Sequence, residues 1–147
     1  MARTFQGRAV VPGNAKAQAL VSRQGFNTLA SFQKALMFKD KRAKCSDQNN
    51  PTIFGQPMQG SALCLTQTIG STTGGMVLYC AAALGQQPAC LLFSKPIDSL
   101  AAAGAILADV WTDVSMPVVD NLGEEFLSYV STGDSVEVRP DGTVIVG

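Results

Sequence analysis

Gln67-Thr-Ile-Gly-Ser-Thr-Thr-Gly-Gly-Met-Val-Leu-Tyr-Cys80 runs from a Gly/Ser/Thr-rich turn straight into an apolar, helix-like segment. Before it, Ala62–Leu65 has the makings of a short buried strand. After it, Met76–Leu84 reads as a helix that Gly85 stops, a glycine being the usual residue just past a helix end. Ala89–Phe93 is apolar throughout, the pattern of a central strand buried on both faces. An alanine-rich helix over Ile97–Val110, a short strand over Met116–Val119 and a helix over Leu122–Val130 follow. Strands alternating with helices in this way predict an α/β domain with parallel strands.

The two ends of the chain read differently. Phe5–Val11 and Lys16–Ser22 form two strands around Pro12-Gly13-Asn14, which predicts a hairpin. Ser135–Val146 closes with a second hairpin, whose Asp141-Gly142 pair favours a tight turn. Hairpins at both ends with β-α-β units between them predict a mixed sheet flanked by helices. Thr28–Leu36 has a weak helical pattern. Between it and the first central strand lies a polar loop over 39–51, and loops of that length inside a compact domain usually have a task. Ala81–Ala83 and Ala101–Ala105 supply the small residues that let helices lie close on a sheet. No linker or repeat divides the 147 residues, so a single domain over 1–147 is expected.

Composition excludes several functions. Charged residues make up 15% of the chain and cancel to a net charge of +0, where average chains carry about 25%. A neutral surface argues against nucleic acid as a partner, and so little charge points to a protein partner. No apolar run reaches the roughly 20 residues of a membrane span, and the N-terminus lacks the apolar stretch of a signal peptide, so a cytoplasmic protein without membrane attachment is expected. There is no histidine. That removes a Ser-His-Asp triad, a Cys-His pair, a phosphohistidine and a histidine-based zinc site from this chain. Cys45, Cys64, Cys80 and Cys90 have no C-x-x-C spacing and read as reduced core thiols. Cys45, in the polar loop, is the exception to watch. No metal site is expected in this chain.

The turn itself narrows further. Gly70 and Gly75 have the spacing of a phosphate-binding loop, but Met76 stands where its lysine belongs. The dinucleotide fingerprint is missing, and Gly70 directly precedes Ser71, which breaks the G-x-S-x-G elbow of esterases. What remains is a strand, a turn carrying Ser71, and a helix starting near Thr72 or Thr73. Unpaired N–H groups at a helix start stabilise a carboxylate, a phosphate or an oxyanion, a serine alkoxide included. Ser71 in that place is either a proton acceptor or a plain helix cap.

A series of short motifs spans nearly the whole chain: Ala19-Leu-Val-Ser22, Ser31-Phe32, Gly55-x-Pro57-x-x-Gly60, Gly70-Ser-Thr-Thr-Gly74, Pro88-Ala89, Pro96-Ile-Asp98, Ala103-Gly-Ala105, Met116-Pro-Val118, Thr132-Gly-Asp134 and Asp141-Gly142. In this order they resemble the small subunit of the aconitase X family, a branch of the aconitase-type hydro-lyases. The resemblance implies an aconitase-like swivelling domain, a mixed sheet or barrel flanked by helices. It implies Ser71 as the proton acceptor, with Gly70, Thr72, Thr73, Asn49 and Asn50 around the substrate. It also implies a large subunit that carries an iron or iron–sulfur centre, which assists departure of the substrate's hydroxyl as a Lewis acid. Family members dehydrate cis-3-hydroxy-L-proline or (R)-5-phosphomevalonate. The first is the expectation here and the second the alternative. Where the family's bacterial members continue the Ser-Phe pair with Trp-Gly-Gly, this chain has Gln33-Lys-Ala-Leu36, a difference that bears on the substrate. A non-catalytic regulatory or scaffolding subunit is the reading of another class. A phosphocarrier domain of similar topology lacks the histidine it would need.

Overall fold

The structure, a computed structural model, describes residues 2–69 and 74–147. In chain order the elements are β1 (Arg3–Gln6), β2 (Arg8–Val11), β3 (Ala15–Val21), β4 (Phe26–Asn27), α1 (Thr28–Phe38), β5 (Ala62–Leu65), β6 (Thr68–Ile69), α2 (Gly74–Ala83), β7 (Cys90–Phe93), α3 (Ser99–Trp111), β8 (Val118–Asp120), α4 (Glu124–Tyr129), β9 (Ser135–Val138) and β10 (Thr143–Val146). Eight strands join in the order β1-β10-β9-β3-β5-β7-β8-β2, while β4 and β6 make a separate two-stranded ladder.

The first and last strands of that order, β1 and β2, are consecutive in the chain with Gly7 alone between them. The two edges of the sheet therefore meet, and the sheet curls into a nearly closed barrel. Gly7 makes the join possible. Its N–H donates to the Gly142 carbonyl at 3.0 Å, and a Cβ in its place would lie 2.5 Å from the Asp120 carbonyl oxygen and 2.6 Å from a Val119 methyl. The expected N-terminal hairpin does not form for the same reason. The chain changes sides at Gly7, so β1 pairs with β10, β2 with β8, and β3 with β9 and β5. The C-terminal hairpin is present as β9–β10, with Gly142 at φ 88°.

Strands β3, β5, β7 and β8 run parallel to one another, and every residue of β5 and β7 is buried. Alternation divides their side chains between two cores. Leu63, Leu65, Leu91 and Phe93 face α1, α2 and α3, packing with Phe32, Leu78 and Ala105. Ala62, Cys64, Cys90 and Leu92 face the barrel interior with Val136, Val144 and Phe126 of α4. Each buried Leu, Val or Phe contributes about 1.5–3 kcal/mol. Phe5 meets Phe126 edge to face at 5.3 Å, so α4 covers the end of the barrel.

Candidate active site at the carboxyl edge of the parallel strands

In parallel sheets flanked by helices, ligands bind beyond the carboxyl ends of the strands. Here those ends are Ser22 and Arg23 after β3, Thr66 after β5, and Ser94 and Lys95 after β7. Backbone bonds tie them together: Ser22 N–H to the Cys64 carbonyl at 2.9 Å, Ser94 N–H to the Leu65 carbonyl at 2.9 Å, and Phe26 N–H to the Gln67 carbonyl at 2.8 Å. The chain leaves this edge through β6 and re-enters the described residues at Gly74, the first residue of α2. Gly70, Ser71, Thr72 and Thr73 lie outside the described residues.

Three contacts hold the elements on either side. Ile69 pairs with Asn27 in the β4–β6 ladder, and Asn27 in turn caps α1 by accepting the Ala30 N–H at 3.0 Å. The Thr68 hydroxyl donates to the Asp98 carboxylate, which also accepts the Ala101 N–H at 3.0 Å and so caps α3. On the other side of the turn, α2 and α3 touch backbone to backbone. A Cβ on Gly75 would stand 2.1 Å from the Leu100 carbonyl oxygen, and one on Gly104 would stand 2.1 Å from the Gly75 carbonyl oxygen. Sequence reading pointed to alanines for close packing; the closest approach uses glycine on both helices.

The two asparagines part company. Asn50 is fully buried, donating to Ser22 Oγ at 2.9 Å and accepting from Thr52 Oγ1 at 2.9 Å. A substrate contact by Asn50 would require breaking those bonds; what it does in the structure is hold the loop to the end of β3. Asn49 is exposed beside it, its carbonyl accepting from Gln24 Nε2 at 2.7 Å. The loop is folded rather than loose. Asp40 accepts the N–H groups of Arg42 and Lys44, which hold its carboxyl below the usual carboxylate range. Its cations cluster where α1 ends, about 16 Å along the helix axis from the Thr28 end that adjoins the turn. Cys45 is buried in this loop, not presented by it, and burial pushes its thiol up. Burial likewise raises Cys64 well above, and Cys90 to about 12.

Residues that sequence reading passed over are Thr68, Asp98, Arg23 and Lys95. Asp98 carried a signal, an aspartate just ahead of an alanine-rich helix. Arg23, Thr66, Ser94, Lys95 and Glu124 line a cleft of about 280 Å³ on the same edge. There the Arg23 guanidinium donates to the Val130 carbonyl at 2.7 Å. Among the described residues no three of His, Cys, Asp or Glu come together as a metal-holding group. The buried, protonated thiols are poor ligands, so the donor set of this chain does not fit an iron centre. No described helix is long and apolar enough to cross a membrane.

A near-closed mixed barrel flanked by helices is a swivelling domain of the aconitase kind. Residues 4–146 match the family described as the aconitase X swivel domain, and the chain belongs to that family. It is 28% identical over 137 residues to the phosphomevalonate dehydratase small subunit of Archaeoglobus fulgidus, covering 93% of this chain and 92% of that one. The namesake from Aeropyrum pernix is 26% identical over 142 residues, covering 97% and 92%. In three dimensions the chain superposes on the crystal structure of Thermococcus kodakaraensis aconitase X in its holo-form with a TM-score of 0.81 and 26% identity, covering 99% and 98%. The chain is a subunit of a dehydratase, a hydro-lyase.

Proposed function

We propose that this chain, as one swivelling domain, is the small subunit of an aconitase X-type hydro-lyase. In this reading Ser71 takes the proton α to the carboxylate of a β-hydroxy acid. A large subunit completes the site and carries the iron centre. The observation that supports this most is that β6 and α2, the elements before and after residues 70–73, are each tied down at the carboxyl edge of the parallel strands. A base needs fixed geometry, and the Asp98 bridge and the Gly75–Gly104 crossing supply it from both sides. The α2 start following the turn favours negative charge on Ser71. In this reading Gly70, Thr72 and Thr73 contact the substrate carboxylate, with Asn49 at the rim and Asn50 as the loop's anchor. The partner's iron centre, in the same reading, assists departure of the hydroxyl.

Two substrates fit this chemistry, since both carry a hydroxyl β to the carboxylate and lose the α proton. The sequence expectation is cis-3-hydroxy-L-proline. The names of the relatives favour (R)-5-phosphomevalonate, and so does the cleft holding Arg23 and Lys95, two cations that a phosphate would need. The loop cations, at the far end of α1, would not serve the same site. Assaying the two-subunit complex with each compound separates them. Replacing Ser71 tests the mechanism. Ser71→Ala in the assembled enzyme should lower kcat by roughly 100-fold or more, with assembly intact. A mere cap predicts the reverse: a loss of about 0.5–2 kcal/mol in stability with kcat within a few-fold of the parent. That second result would remove Ser71 from the reaction.

A further inference from the structure

We propose that the outer face shared by α2 and α3 is the seat of the large subunit. This rests on the function proposed above and adds the surface by which the two chains join. Ala101, Gly104, Ala105 and Ala108 of α3 are buried against the protein. The flank beside that buried face carries Leu100, Ala103, Leu107, Val110 and Trp111, all exposed, with Trp111 at 67% and Val110 at 66%. Their spacing puts them on one stripe, and a helix apolar beyond its buried face is a helix that expects to be covered. On α2, Met76 is 66% exposed at the end next to the turn, and Tyr79 meets Trp111 edge to face at 6.1 Å, bridging the two stripes. No charged residue occurs anywhere from 48 to 94.

Given the size of these side chains, their exposure leaves on the order of 600 Å² of apolar surface, the upper end for the largest patch of a monomer. One partner of a standard interface contributes about 800 Å², so this face supplies most of what a stable complex needs. Its position selects the occupant. Met76 and Leu100 stand at the Gly75 crossing, where α2 begins, so whatever covers them also covers the end of α2 that follows Ser71 in the chain. The metal-bearing chain has to approach that turn. A second copy of this chain would bring no iron ligands to it.

The test uses a Leu107→Arg/Val110→Arg double variant, with Phe54→Arg on the exposed 39–60 segment as control, each titrated with the recombinant large subunit from the same organism. The double variant should keep its melting temperature within a few degrees and raise the Kd at least 100-fold. Turnover should return at saturating large subunit, because the turn is untouched. The control should bind as the parent does. Trp111 is the chain's one tryptophan; incorporated as 5-fluorotryptophan, its fluorine resonance should move on complex formation. Trp111→Ser serves as the milder variant should two arginines unfold the chain. An unchanged Kd together with an unmoved resonance overturns the proposal. So does a parent chain that dimerises alone through this face, becomes monomeric in the double variant, and still binds the large subunit normally. If the parent chain itself does not bind the large subunit, the proposed function fails with it.

Discussion

Gly104→Ala asks whether the α2–α3 crossing sets the geometry of residues 70–73, proposed above to carry the base. Gly104 touches no substrate; it acts through Gly75, so its role is positioning. The new methyl would stand 2.1 Å from the Gly75 carbonyl oxygen and 2.6 Å from the Gly75 Cα, against a relaxed contact of about 3.5 Å. Both obstacles are backbone, so no rotamer change relieves them and the start of α2 must move by roughly 1 Å. Overpacking of this kind costs about 1–3 kcal/mol, which for a chain of this size lowers the melting temperature by roughly 3–10 °C. A displacement of about 1 Å at a reacting group costs roughly 100-fold in rate. The assay is steady-state dehydration by the reconstituted complex below the variant's melting point, beside a thermal melt of the isolated chain. The expected result is a fall in kcat with KM changed little. Asp109→Asn, exposed on the same helix outside the apolar stripe, should change neither quantity. A variant that melts early yet keeps kcat within three-fold of the parent would refute the reasoning: the crossing would then stabilise the fold without setting the turn.

Arg8→Met should destabilise more than an ordinary surface change. Arg8 donates to both oxygens of Asp120 at 2.9 and 2.7 Å, and Asp120 is fully buried. Left with the Ile97 N–H alone, that carboxylate costs about 2–4 kcal/mol, measurable by urea unfolding; a loss below 0.5 kcal/mol would show the pair to be dispensable. Alkali should unfold the protein through its thiols. Cys64 and Cys90 keep their protons in the folded state, Cys90 to about 12, against 9.0 for an ordinary thiol. Their contribution is therefore fully present below pH 9 and is lost as pH rises towards 12. A Cys64→Ala/Cys90→Ala variant should show a flatter stability profile over that window. In the native state iodoacetamide should modify the half-buried Cys80 well ahead of Cys45, Cys64 and Cys90; uniform labelling of all four would contradict the burial. Asn50→Ala should cost about 1–3 kcal/mol by leaving buried polar groups unpaired, while Asn49→Ala should leave the melting temperature in place. Equal melting temperatures for the two would contradict the anchoring role.

The middle of the fold was legible because its signals are local. Ala62–Leu65 is β5 residue for residue, the apolar run at 89–93 is β7, and Gly85, with φ 74°, ends the helix as its position implied. The N-terminal hairpin misled because Pro12-Gly13-Asn14 is a sound turn signal. Whether two strands flanking a turn pair with each other depends on what else competes for their edges. Here β9 and β5 take both edges of β3, and β8 takes β2. Nothing near Gly7 in the sequence announces that the barrel closes there; its need for a missing side chain comes from Val119 and Asp120, far along the chain. The β4–β6 ladder is two residues long on each side, below the length at which alternation carries a signal. Ser71 and its turn stood out by composition, yet the parts that hold the turn did not. Asp98 bonds to Thr68 across thirty residues, a relation visible only in three dimensions.

The electrostatics of the edge argue that this chain does not work alone. A serine becomes a base only where positive potential holds its alkoxide. The charged group tied to the turn's flank is an aspartate, Asp98, bonded to Thr68. Its charge is absorbed locally, because it also accepts the Ala101 N–H at the start of α3. It therefore fixes geometry without lending the turn a cation. The cations on the same edge, Arg23 and Lys95, line the cleft beside Glu124, and Arg23 is engaged with the Val130 carbonyl. Helix partial charge alone is worth about 0.3–1 kcal/mol at a surface, far short of what lowering a serine hydroxyl into a useful range demands. On the function proposed above, the remaining field arrives from outside, over the apolar face of α2 and α3. On that proposal labour is separated: this chain supplies the hydroxyl, and the partner supplies the charge that makes it a base.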